Sequence, residues 1–292
     1  MYVKKFTSAL VITALGLLGA ACGDAAGGAT PKVDAAAFPA GSTMQRLAKA
    51  GKITVGTKFD QPGFGLKGLD GKPAGFDVEI AKIIAGELGI PADKIEWLET
   101  PSKVREDYLE QHKVDLIAAT YTINDKRKQR VDFAGPYYTA GQTIIVGKAD
   151  TSITGPDSFR DGTKKVCSAT GSVNGEKIKE YLKDAASQLV LFDTYDKCRD
   201  ALKSGQVDAV TTDNVILLGF IAKDQNAFKL AGDVFTSEPY GIGVNKGDNA
   251  FRAFVNDVLE KTYKDGRWQR AWQATAGKYD TAPVTPPTLN RY

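Results

Sequence analysis

VDLIAATYTINDKRKQR, residues 114–130, runs an apolar stretch, Leu116 to Ala119, directly into Thr120, Tyr121 and Thr122. Asn124 and Asp125 then signal a helix start, with Arg127 inside the first turn. A strand that ends in hydroxyls, free backbone amides and an arginine suits a carboxylate, because guanidinium is a planar, two-pronged donor. Taken alone, the same residues also fit an exposed helix start with solvated basic side chains.

A partial repeat gives the stretch its context. Residues 109–120, LEQHKVDLIAAT, match residues 202–213, LKSGQVDAVTTD: a helix end, a tight turn, Val-Asp and an apolar strand. The alignment sets Thr120 opposite Asp213, and His112 opposite Gly205. His112 therefore occupies a helix-terminating position, which histidine tolerates in a left-handed conformation, and reads as structural rather than catalytic.

Around each copy the pattern alternates strand and helix. A short helix over 42–50 precedes a strand at 53–56 that delivers Lys58 at its end. A hairpin turn falls at Asp70 and Gly71, and Asp77 is expected to cap a helix with an apolar face that Gly89 stops. A strand at 95–98 leads through Ser102 to a helix over 103–111. In the second half, a strand at 164–168 opens into ATGSVNGEK and a helix to residue 182. A strand at 189–192, a helix over 196–203 and the strand ending at Asp213 follow. This is a parallel α/β pattern met twice. Two extended runs, 138–147 and 240–244, bracket the second unit, and a helical stretch over 249–274, broken at Gly266, must pack back on the first. The expected architecture is a bilobed α/β fold with a hinged cleft, divided as 42–141 and 238–278 for one lobe and 142–237 for the other. Residues 279–292, with Pro283, Pro286 and Pro287, read as an irregular, mobile tail.

The ends and composition narrow the function class. Lys4 and Lys5 precede an apolar stretch over 6–21 that closes in Leu18, Gly19, Ala20, Ala21 and Cys22, a secretory signal over residues 1–21. It resembles a bacterial lipoprotein signal, which implies lipid on Cys22; Gly19 stands where such signals usually carry leucine. Residues 22–41 read as a flexible tether. Losing two lysines and no acid with the signal leaves 36 basic against 35 acidic residues, from 38 and 35 in the full chain. That balance gives no support for nucleic-acid binding. Cys167 and Cys198 then form an even pair in an oxidising compartment, read as a disulfide closing a loop of about 30 residues worth ~3 to 4 kcal/mol. A metal site or nucleophilic thiol lacks partners, His112 being the single histidine.

Ligands of open α/β sheets bind beyond the carboxyl ends of the strands. The cleft should therefore collect loops at Lys58, Ser102, Thr120 to Arg127, Thr170 to Ser172, and Asp213. Arg127, Thr122 and the amides around Gly171 make an anion clamp; Asp213 and the Thr120 carbonyl make an acceptor for an ammonium. Together they match the two charges of a free amino acid. Lys58, Ser102 and Arg105 form a second cationic pocket.

The chain resembles family 3 extracellular solute-binding proteins of bacterial amino-acid ABC importers over residues 44–275. The resemblance rests on TYTINDKR (120–127), DFAGPYY (132–138), SATGS (168–172), VDAVTTD (207–213) and YGIGV (240–244). VGTKFDQPGFG (55–65), IAATYTIN (117–124) and the paired cysteines are most similar to the glutamate-binding lipoproteins of that group. The resemblance implies a type II periplasmic-binding-protein fold, a monomer without cofactor, metal or catalytic residue, and partnership with a permease and ATPase. It assigns the α-carboxylate to Thr122 and Arg127, with Gly171 and Ser172 beside them, and the α-amino group to Asp213. It assigns the side-chain carboxylate to Ser102 and Arg105, with Lys58 where glutamine binders hold an acid. Glutamate is the expected ligand, with aspartate second. A membrane-receptor sensor, or a dehydratase on the same fold, are the alternatives.

Overall fold

The computed structural model describes residues 33–292. The signal segment, Cys22 and the tether through residue 32 lie outside the described residues. Among the described residues, no helix is long and apolar enough to cross a membrane.

Two five-stranded sheets share one plan. The first has the order Ile95–Glu99, Ile53–Thr57, Leu116–Ile117, Glu238–Asn245, Val131–Ala140; the second has Leu189–Phe192, Val166–Ala169, Ala209–Asp213, Gln142–Gly147, Phe228–Ala231. In each, three parallel strands are followed by a fourth that runs against them and a fifth, antiparallel to the fourth, that runs with them. The repeated Val-Asp segments thus supply the same strand, the last of the three parallel ones in chain order and central in position, to both sheets. Each sheet is mixed, because the strand by which the chain enters each lobe from the other, Gln142–Gly147 or Glu238–Asn245, runs against the parallel set.

The chain crosses between sheets twice, at Ala140 to Gln142 and just before Glu238. The crossings touch: Phe235 N donates to Gln142 O at 3.0 Å and Gln142 N donates to Thr236 Oγ1 at 3.0 Å. Gly141 makes this approach possible, since a Cβ there would lie 2.1 Å from Val234 Cγ1 and 2.6 Å from Thr236 O. Two adjacent strands with few other attachments form a natural hinge.

The helices Asn249–Lys264 and Arg267–Ala274 return to the first sheet. There Trp268 and Trp272 join Phe64, Phe76, Tyr138 and Tyr240 in a buried aromatic cluster, with Trp272 stacked on Tyr138 at 4.8 Å. In the second lobe Cys167 and Cys198 form a disulfide, tying the strand Val166–Ala169 to the helix Tyr195–Lys203. His112 has φ of 51°, the left-handed helix end its alignment with Gly205 implied.

Five segments depart from the sequence reading. Gly75, not Asp77, precedes the helix Phe76–Glu87; Asp77 is buried in the first turn and points at another segment. A helix, Asn214–Lys223, and the strand Phe228–Ala231 follow Asp213 unanticipated. That helix is apolar nearly all round, with Val215, Ile216, Leu217 and Phe220 buried, so it carries no amphipathic period. Residues 33–41 are not a free tether, because the Phe38 ring meets Phe254 edge-on at 5.7 Å. The tail is irregular but fastened. Asn290 N donates to Gly135 O at 2.8 Å, Phe133 N donates to Tyr292 Oη at 2.9 Å, and Arg291 pairs with Asp257 and Glu260.

Candidate functional site

The carboxyl ends of the parallel strands face each other between the lobes. Ser102, Arg105, Thr120, Thr122 and Arg127 from the first lobe and Ser172, Asn174, Tyr195 and Asp213 from the second line one small cavity. Seven of the nine sequence-predicted residues are in that wall. Lys58 stands behind it, its Nζ donating to Ser102 Oγ at 2.9 Å. Gly171 lines the groove that opens beside it.

The lobes are closed on one another. Arg127 Nη2 donates to Gly171 O at 3.3 Å, Lys103 Nζ reaches Asp193 at 2.6 Å, and Asp60 accepts from the Tyr195 amide at 2.8 Å. Gly171, with φ of 75°, permits the contact, because a Cβ would fall 2.7 Å from Lys103 Cα.

Local structure fixes each side chain. Asn124 caps the turn Asp125–Lys128 by accepting from the Arg127 amide at 2.9 Å. Arg127 then donates to Thr122 O at 2.7 Å and pairs with Glu106 at 3.2 Å. Thr120 has φ of 44°, a strained conformation for a β-branched residue. Asp77 stabilises it by accepting from the Thr120 amide at 2.8 Å while also accepting from Tyr137 Oη, and Thr120 Oγ1 donates to Gln61 Oε1 at 3.1 Å. Arg105 is buried, donates to the carbonyls of Ala119 at 2.9 Å and Thr120 at 3.4 Å, and lies 4.2 Å from the Tyr121 ring. The Thr120 carbonyl, expected as an ammonium acceptor, therefore already faces a guanidinium in this closed form. Asp213 accepts from Asn174 Nδ2 at 2.8 Å and from Tyr240 Oη.

Burial dominates the electrostatics. It pushes the Lys58 amine down to about 7, aided by Arg105, and Arg127 down to about 10, again with Arg105. It raises the Asp213 carboxyl to about 7, with Glu238 adding to the effect, and Asp77 to about 6. One wall of the cavity thus holds two buried guanidiniums, Arg105 and Arg127, the latter paired with Glu106, with the buried Lys58 amine behind Ser102, and the other presents the buried carboxylate of Asp213. Such a site can hold a small zwitterion with an additional negative charge. Among the described residues no cluster of histidine, cysteine and acidic side chains could hold a metal.

Sequence reasoning missed Asp77, Gln61, Glu106, Asn174 and Tyr195. Asn174 had a usable signal, three residues past Gly171 in a glycine-containing turn. Asp77 and Glu106 had none, since acids in the first turn of a helix are ordinary.

The family model for bacterial extracellular solute-binding proteins, family 3, matches residues 53–275. The glutamate-binding protein GluB of Corynebacterium efficiens is 38% identical over 90% of this chain and 87% of its own length. The ABC transporter glutamine-binding protein GlnH of Bacillus subtilis is 36% identical over 92% of this chain and 96% of its own. An ancestral arginine-binding protein bound to arginine superposes with a TM-score of 0.72 at 36% identity, covering 77% of this chain and 98% of that one. Strand plan, hinge and matched length agree: the chain belongs to the family 3 bacterial extracellular solute-binding proteins.

Proposed function

We propose that this protein captures L-glutamate, and L-aspartate more weakly, by closing its lobes around it, and delivers it to the permease and ATPase of an ABC importer. The observation that carries this reading is the charge count at the cavity: buried Arg105 and Arg127 in one wall with buried Lys58 behind Ser102, and buried Asp213 in the other. Thr122 and Arg127, with Gly171 and Ser172, hold the α-carboxylate. Asp213 accepts from the α-ammonium, joined by the Thr120 carbonyl when Arg105 turns to the ligand. Ser102 and Arg105 hold the side-chain carboxylate, with Lys58 donating through Ser102 or directly. Exchanging these internal hydrogen bonds for ligand bonds requires opening, which the paired crossing strands allow. The protein acts as a monomer, lipid-anchored through Cys22 on the outer face of the membrane, and carries out no chemical step.

The likeness to glutamate-binding GluB supports this ligand. L-glutamine is the competing reading, favoured by the likeness to GlnH and by Lys58 standing one residue behind the cavity wall. Melting curves recorded with each of the twenty free amino acids at millimolar concentration separate the two. L-glutamate should give the largest shift, since a ligand bound only by the folded state stabilises it by mass action. A larger shift with L-glutamine refutes the acidic-ligand reading. No shift with any amino acid, or turnover of an added acid, refutes capture itself.

A further inference from the structure

One buried carboxylate in the closed protein belongs to neither charge group of the cavity. Asp60 lies in the short strand Asp60–Gln61 of the first lobe and is 6% exposed. Its Oδ2 accepts from the backbone amide of Tyr195 at 2.8 Å. Tyr195 opens the nine-residue helix Tyr195–Lys203 of the second lobe, and that helix has no cap of its own: the hydroxyl of Thr194, at the capping position, turns to Asp196. The cap comes across the cleft from the other lobe. A carboxylate accepting at a helix start is favoured by the free amides and the helix dipole.

The contact leads back into the cavity. Tyr195 lines it, and Tyr195 Oη donates to Asn174 Oδ1 at 3.3 Å, while Asn174 Nδ2 donates to Asp213 Oδ1 at 2.8 Å. The capped helix also carries Cys198, whose disulfide to Cys167 fixes it to the sheet of its lobe. Pro62, two residues from Asp60, packs so closely that a Cβ on Gly219 would lie 2.6 Å from its carbonyl.

We propose that Asp60 is a closure latch: a positioning residue on one lobe that caps a helix of the other only when the cleft shuts. It thereby sets Tyr195, Asn174 and Asp213 against whichever amino acid the cavity holds. This rests on the reading of ligand capture by closure. Asp60 does not line the cavity, so the latch acts on every ligand alike; its charge also supports the Lys58 amine, which adds a loss for acidic ligands alone. When the lobes part, Asp60 and the Tyr195 amide both return to water, so the latch contributes to retention of the ligand and not to first encounter.

Asp60→Ala is tested by stopped-flow binding of L-glutamate and L-glutamine, and by hydrogen exchange of the Tyr195 amide with and without each. A hydrogen bond to a charged group of this kind predicts a dissociation rate faster by about tenfold or more. L-glutamine should show this factor and L-glutamate one at least as large, with the association rate unchanged and the Tyr195 amide losing its protection. Asp60→Asn, which keeps an acceptor oxygen, should recover part of the protection. Unchanged dissociation, or slower binding of one amino acid only, overturns the latch. So does a loss of affinity matched by an equal drop in the melting temperature of ligand-free protein, which marks Asp60 as a support of its own lobe. If the wild type binds neither amino acid, the ligand reading fails. The latch is then judged with whichever of the twenty amino acids shifts the melting curve, where equal protection of the Tyr195 amide in ligand-bound wild type and Asp60→Ala overturns it.

Discussion

Replacing Lys58 with methionine should make the ligand-free protein more stable and the binding site worse. Lys58 is 2% exposed, and burial together with Arg105 lowers its amine from 10.5 to about 7. At about 1.4 kcal/mol per pH unit, holding the amine in that place costs roughly 4 kcal/mol at neutral pH. The sign follows from proton counts. Below pH 7 the folded and unfolded chains both carry the proton and the cost is complete; from 7 toward 10.5 the folded chain releases it first, so stability rises with pH. Lys58→Met removes the amine but keeps an apolar stem, and gives up the 2.9 Å hydrogen bond to Ser102, about 1 kcal/mol. The net gain of ~3 kcal/mol corresponds to a melting temperature higher by roughly 6 to 12 °C. L-glutamate then loses an ammonium-to-carboxylate bond toward the upper end of ~1.5 to 3 kcal/mol, whereas L-glutamine loses an ammonium-to-amide bond toward the lower end. Calorimetric unfolding and titration measure both effects on one sample. A variant that melts at or below the wild type, with an unchanged preference between the two amino acids, refutes the reasoning.

Three further outcomes follow from the same geometry. Asp213→Ala should weaken every amino acid by more than about a hundredfold in equilibrium titration, because it strands an ammonium in a buried cavity. L-glutamate binding should release protons near pH 6, where the free Asp213 carboxyl at about 7 is largely protonated, and take up protons near pH 8, where the Lys58 amine is largely neutral. Titrations in buffers of different ionisation enthalpy read this, and the same sign of proton transfer at both pH values contradicts it. Cys198→Ser opens a disulfide with a sequence separation of 31 and should cost about 3 to 4 kcal/mol in denaturant unfolding, without altering the preference for glutamate over glutamine.

The fold was legible where the pattern is local and repeated. LEQHKVDLIAAT and LKSGQVDAVTTD predict two equivalent strands, and Leu116–Ile117 and Ala209–Asp213 hold equivalent positions in two sheets of one plan. Asn124 as a helix cap and Arg127 one turn on were equally readable, because capping chemistry acts over three residues. What escaped depends on distant partners. The acid at position 77 looks like an ordinary first-turn residue until its 2.8 Å bond to the strained Thr120, 43 positions away, is seen. Asp60 caps a helix 135 positions downstream. The uniformly apolar NVILLGFIAK has no period to announce a helix, and the proline-rich tail hides its anchors in its last three residues. Lys58 was found from its place at a strand end, but its position behind Ser102 depends on side-chain packing that no local pattern encodes.

The central claim is that the three buried cations select a ligand with a second carboxylate. A calorimetric competition at pH 7, displacing L-glutamine from the purified protein with L-glutamate, tests it most directly. One site is expected, filled by L-glutamate at least about tenfold more tightly than by L-glutamine, the difference between a cation-to-carboxylate and a cation-to-amide hydrogen bond. Equal affinities, or displacement only in the opposite direction, would contradict it.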